Sequence, residues 1–303
     1  SGILQATEAA SFFSEKATRG TVIIDENTIL NAYAGIGELI GQKVEYFYNG
    51  DTETIIYAAP YKSVNDVIKI DGDDLNSVSP TKVEYYEDDK LQTASFAKDV
   101  TVLYNGLPAD PQVLNSLKDA NSVTLISNNG SSSYNVFLIT KTMKTFVVGD
   151  KNASEMIISD KNSGLLLNLK DKASVSFYLN GSVAAINAVA AGSVVSVGTE
   201  LMSQGSELMA ANHYVIYIST KLVNGKVMSI SDNEVQIADD VYKFSLDAEV
   251  KVEGGVLHVN GVEIRPGEDK VFLLDAFGRI AGVKEDTRKL GGYGIILGIE
   301  QAE

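Results

Sequence analysis

The chain has 303 residues, 45 % of them hydrophobic, which is enough apolar material for a folded core and excludes wholesale disorder. Acidic residues number 40 against 25 basic ones, and the resulting net charge of -15 argues against nucleic acid and anionic membrane as partners. Cysteine is absent, which excludes disulfides, zinc–thiolate centres and cysteine nucleophiles, and no apolar run reaches the roughly 18 residues a membrane-crossing helix needs.

The chain opens at Ser1-Gly2 and is expected to be a processed or excised piece of a longer protein. Its commonest pattern is period-2 alternation closed by Asn-Gly or Asp-Gly, the signature of half-buried strands joined in tight hairpins. A short helix is predicted over 28–40, ending at Gly41, followed by a hairpin with arms 44–48 and 54–57 across Asn49-Gly50. Residues 67–70 read as a strand leading into an Asp71-Gly72 hairpin turn.

From there the chain repeats itself. Three strand phrases end in Asn-Gly, at Asn105-Gly106, Asn180-Gly181 and Asn260-Gly261, and their glycines lie 75 and then 80 residues apart. Short helices are predicted next, over 111–117 behind an Asp110 cap and over 183–191 ahead of Gly192; the third copy has the turn Arg265-Pro266-Gly267 instead. A hairpin closes each copy, with arms 123–126 and 134–139, 194–197 and 214–218, and 271–274 and 279–283. Residues 294–297 resemble 3–5 with their preceding glycine and read as the opening strand of a further unit, able to add to a neighbouring chain's sheet. The expected fold is therefore mainly β: tandem small sheets or partly closed barrels with short helices. The modules are placed at 1–60, 61–140, 141–220 and 221–285, with a tail at 286–303.

Residues able to do chemistry are sparse. The histidines, His213 and His258, fall in different modules, His213 in a predicted loop and His258 on the solvent face of a strand. Ser95 and Lys98 have the spacing of a Ser-x-x-Lys pair but lie among strands, without the helix that chemistry requires. The glycine-rich stretches 35–41 and 292–298 lack the spacing of a phosphate-binding loop. The best cation candidate is Asp71, Asp73 and Asp74. As a calcium loop it has Asn76 where a turn glycine is needed and Lys82 where a bidentate glutamate is needed, and a plain turn accounts for it without an ion. No catalytic residue and no cofactor are expected; calcium is the one ion considered. Tyr46, Tyr48, Tyr85 and Tyr86 are candidates for a sugar-stacking platform, with cross-strand packing as the plainer account.

Several phrases resemble the β-rich regions that accompany S-layer homology domains in surface proteins of Clostridium-like Gram-positive bacteria. They are 40–48, 67–74 followed by 83–87, 102–106 and 272–281. The resemblance implies a structural, non-catalytic role at the bacterial cell surface. Its implied partners are other copies of the chain or other surface-layer proteins, with cell-wall glycan held by regions outside this sequence. A virion, phage-tail or filament subunit and a carbohydrate-binding or adhesive module are the alternatives.

Overall fold

A computed structural model of the chain describes the backbone of residues 1–114, 120–172, 174–204, 207–245 and 247–284, and the side chains of all of these except 200–213. The fold is mainly β, with a closed barrel and several partly closed sheets, as the alternation predicts.

The first barrel contains β1 (Gly2–Ala6), β2 (Thr21–Ile24), β3 (Asn27–Asn31), β4 (Lys43–Asn49) and β5 (Thr54–Pro60), in the order β1-β2-β3-β5-β4. The second sheet contains β6 (Asp66–Asp71), β7 (Leu75–Val78), β8 (Lys82–Glu87), β9 (Lys90–Tyr104), β10 (Leu107–Ala109), β11 (Ser122–Ser127) and β12 (Tyr134–Thr140). The third contains β13 (Lys144–Asn152), β14 (Ile157–Asp160), β15 (Leu166–Asn168), β16 (Ser174–Leu179), β17 (Ser182–Ala184), β18 (Val194–Gln204) and β19 (Glu207–Ser219). The last stretch forms a five-stranded sheet from β20 (Leu222–Ile230), β21 (Glu234–Ile237), β22 (Asp240–Lys243), β26 (Asp269–Leu274) and β27 (Ile280–Val283). It also forms a three-stranded sheet from β23 (Val250–Glu253), β24 (Val256–Val259) and β25 (Val262–Ile264).

One three-stranded unit recurs in all four regions. A first strand pairs antiparallel with a later one, which continues as a hairpin: β1-β4-β5, β6-β11-β12, β13-β18-β19 and β20-β26-β27. Period-2 alternation turns one face of each unit toward its own core. In the second unit the inward residues are Ile70, Val123, Leu125, Phe137 and Ile139; in the third they are Phe146, Val195, Val197, Ile216 and Ile218. Burying a side chain of this size contributes roughly 1.5–3 kcal/mol.

The Asn-Gly turns form as predicted. Asn105, Asn180 and Asn260 have φ of 48°, 47° and 50°, and their glycines have 91°, 89° and 80°, the double left-handed geometry of a type I′ hairpin. Two other turns differ from expectation. Asn49 pairs with Thr54, so this hairpin has a four-residue loop; its left-handed residue is Glu53, and Asn49 Oδ1 accepts the Asp51 N–H at 2.9 Å. Asp71-Gly72 is not a hairpin turn either. Asp71 caps a single 3-10 turn over Gly72–Asp74 by accepting the Asp73 N–H. Glycine is required at 72 by close approach, because a Cβ there would lie 1.7 Å from the Ala120 carbonyl oxygen.

The predicted helices are shorter than expected. Residues 28–31 belong to strand β3, and only Ala34–Leu39 coils, as 3-10. Val183 lies in β17, leaving a 3-10 turn at Ile186–Ala188. Thr28, Ile29 and Val183 are β-branched and favour extended backbone. Behind the Asp110 cap, 111–114 is also 3-10, and the rest of that prediction lies outside the described residues. So do the 292–298 glycines and the tail at 286–303 with its proposed strand.

Candidate functional site

The regions are not strung out as separate beads. Their recurring sheets meet at a junction built around a buried polar side chain.

Asn105 is its centre and is only 2 % exposed. Its Nδ2 donates to the Lys141 carbonyl at 2.9 Å and to the Thr199 carbonyl at 2.7 Å, while its Oδ1 accepts the Lys141 N–H at 3.0 Å. The same amide thus ties its own sheet to the strand of the next region. The other two copies use the residue similarly but locally. Asn180 holds the Thr220 N–H and hydroxyl, and Asn260 accepts the Glu249 N–H and donates to the Ala281 carbonyl.

Around Asn105 stands a row of aromatic rings. Tyr178 and Tyr217, neighbours across the parallel β16–β19 pair, stack at 5.9 Å. Phe277 meets Tyr217 edge-on at 5.7 Å. From the N-terminal region, Lys16 Nζ lies 5.7 Å from the Tyr178 ring centre and 3.2 Å from its hydroxyl, and that hydroxyl also donates to the Ala9 carbonyl. All four regions therefore contribute to one junction. The cavity left beside it, walled by Leu103, Leu138, Asn105, Tyr178 and Tyr217, holds about 200 Å³, below the roughly 300 Å³ at which small-molecule pockets begin.

A second joint lies between regions far apart in sequence. Arg279, 4 % exposed, places Nη2 2.6 Å from Asp71 Oδ1 and 3.3 Å from Asp73 Oδ2. Lys243 Nζ lies 3.5 Å from Asp73 and 3.7 Å from Asp74. The three aspartates singled out as a calcium candidate therefore face two cations of the protein itself. Among the described residues no cluster of three or more metal-ligating side chains occurs. Arg279 is held from behind by the 275–279 loop, where Asp275 Oδ1 accepts the Phe277 and Arg279 N–H groups, each at 2.9 Å. Burial pushes the Asp275 carboxyl up, against the opposing pull of those N–H donors and of Arg279.

Smaller ties complete the frame. Asn128 Nδ2 donates to the Gly41 carbonyl at 2.7 Å, and Asp247 Oδ2 accepts the Thr145 N–H at 2.7 Å. Val147 and Val194 of the third region pack on Leu273 and Ala281 of the fourth.

The other candidates stay apart. Ser95 and Lys98 lie on β9 and both are exposed, with no helix to set them one turn apart. His258 sits on β24 between Lys251 and Glu263, on the polar face opposite the buried Leu257 and Val259. The backbone of His213 is within β19, opposite Ser174, and not in the loop expected for it. Tyr85 is core, while Tyr86 is exposed. Tyr46 and Tyr48 lie 6.4 Å apart with planes inclined at 44°, so they form no flat platform.

Asn105 was visible in the sequence as a turn former, and its role as a joint was not. Arg279 carried a signal that was overlooked: a single arginine inside an apolar phrase is buried only when paired. Comparison of the chain with protein-family models, curated proteins and solved structures gives no match in any of the three.

Proposed function

We propose that this chain is a non-catalytic structural segment of a bacterial surface-layer-associated protein, a stiff β scaffold whose business is contact with copies of itself or with other surface proteins. One observation carries the reading. Three of the buried polar side chains, Asn105, Asn128 and Arg279, bridge one region of the chain to another. Buried polar groups are costly unless bonded, and the two asparagine amides and Arg279 Nη2 are bonded across joints, which fixes the mutual placement of the modules. The acidic surface, with its net charge of -15, suits an exposed location rich in cations. The strand-and-turn phrases that resemble regions beside S-layer homology domains point the same way.

The test is negative-stain electron microscopy of the purified chain at high concentration, with and without millimolar calcium. Ordered sheets support a surface-lattice subunit, and tubes or fibres favour the phage-tail or filament alternative. Dispersed particles in both conditions remove self-assembly from the reading and leave glycan binding to be measured.

A further inference from the structure

Six Asn-Gly pairs occur in the chain, at 49, 105, 129, 180, 224 and 260, and the fold gives each a different setting. The pair is chemically special because glycine has no side chain to shield its backbone nitrogen. That nitrogen can attack the asparagine side-chain carbon and displace ammonia. Attack needs an unoccupied glycine N–H, an amide not held elsewhere, and a backbone able to rotate into a five-membered ring.

Five of the pairs lack at least one of these. Asn105, Asn180 and Asn260 lie in two-residue turns, clamped by the pairing of Tyr104 with Leu107, Leu179 with Ser182 and Val259 with Val262. Their amides are held as well, that of Asn105 by three bonds. Asn224 and Gly225 are both inside β20, paired with Val271 and Lys270. At Asn129 the attacking group is occupied, because the Gly130 N–H donates to the Val64 carbonyl at 3.0 Å.

Asn49-Gly50 lacks none of them. Both residues are exposed; Asn49 ends β4 and Gly50 opens the four-residue loop to β5. Among the described residues the Gly50 N–H has no hydrogen-bond acceptor, and a Cβ at Gly50 would meet nothing within 4 Å. Asn49 Oδ1 accepts the Asp51 N–H at 2.9 Å, which folds the side chain back over the Gly50 peptide. The same N–H faces the oxygen on which negative charge develops during attack, and such a donor stabilises the transition state.

We propose that Asn49 is a site of spontaneous deamidation, the Asn-Gly of the folded chain that converts fastest to isoaspartate and aspartate. The Gly50 nitrogen bonds to Asn49 Cγ, the Cγ–Nδ2 bond breaks, and the proton lost from the Gly50 nitrogen leaves with the amide as ammonia. Water then opens the cyclic imide at either carbonyl. Opening at the backbone carbonyl leaves isoaspartate, with one extra methylene in the main chain; opening at the side-chain carbonyl leaves aspartate. Both products add a negative charge to a chain already at -15. The joint asparagine, Asn105, has the same dipeptide sequence and is spared.

Peptide mass mapping of the full chain decides it, after days at mildly alkaline pH, folded and in parallel in urea. Each converted site gains about 1 Da. In the folded chain Asn49 should convert at least about 10-fold faster than any other pair. That ratio is a barrier difference of about 1.4 kcal/mol, the scale of one or two hydrogen bonds. In urea the six rates should converge to within a few-fold. Gly50→Ala should slow conversion at 49 by about 10-fold or more while the melting curve stays unchanged. A folded chain in which another pair leads, or all six convert alike, overturns the proposal. An Asn49 lead that persists undiminished in urea overturns the role given to the fold, and a rate indifferent to Gly50→Ala overturns attack by the Gly50 nitrogen.

Discussion

At the scale of single residues, Asn105 shows how one side chain does two jobs. Its backbone takes the left-handed turn that Asn tolerates, and its amide, 2 % exposed, meets the Lys141 N–H and the Lys141 and Thr199 carbonyls. Asn105→Ala strands those groups away from water and should cost about 3 kcal/mol in urea denaturation. Asn180 sits at the equivalent turn but is exposed, so Asn180→Ala should cost about 1 kcal/mol or less. Equal losses would mean that the junction bonds do not matter. Buried tyrosines predict the alkaline limit. Desolvation raises Tyr104 from 10.0 to about 12, and Tyr134 is raised as well, by burial and by its bond to Asp66. The folded state holds these protons more tightly than the unfolded state. Stability should therefore be intact below about pH 10 and fall as pH rises through about 12. Tyr104→Phe, followed by denaturation at several pH values, should make that decline shallower.

At the scale of elements, two glycines look alike in sequence and differ in structure. Both Gly50 and Gly72 follow an Asn or Asp and were expected to serve tight hairpins. A Cβ at Gly50 meets nothing within 4 Å, whereas one at Gly72 would lie 1.7 Å from the Ala120 carbonyl. Gly72→Ala must displace backbone and should lose about 3 kcal/mol or more, while Gly50→Ala should stay within about 0.5 kcal/mol, both read from thermal melts. The strands were legible because period-2 alternation is a local pattern. The arms predicted at 123–126 and 134–139 lie within β11 and β12. The helices were overpredicted. β-Branched residues such as Thr28, Ile29 and Val183 had neighbouring strands to pair with, so extended backbone prevailed there over a helix start.

At the scale of the whole molecule, the joint of Arg279 with Asp71 and Asp73 connects the second region to the fourth. Removing one partner of a fully buried pair costs about 3–5 kcal/mol. The carboxylates here keep side-chain exposures of 38 % and 46 %, so Arg279→Ala should cost less, about 2 kcal/mol. Hydrogen exchange should rise around 71–74 while the cores of the individual sheets stay protected. Unchanged exchange at 71–74 would show that the joint does not hold the regions together.

The sequence by itself determined the class of fold, the positions of the Asn-Gly turns and the alternation that separates inner from outer faces. These depend on φ preferences and side-chain spacing, which are properties of a few adjacent residues. Tertiary structure alone decided what covers each outer face. Ile126, Val136, Phe47 and Tyr57 are all apolar strand residues, yet the first two are buried and the last two exposed, because neighbouring parts of the chain pack over one sheet and leave the other bare. Likewise Asp71, Asp73 and Asp74 read as a candidate ion site until folding brings Arg279 and Lys243, about two hundred residues away in the chain, within hydrogen-bonding or ion-pairing distance. Coulombic pairing depends on distance in space, and distance in space is what a linear pattern does not carry.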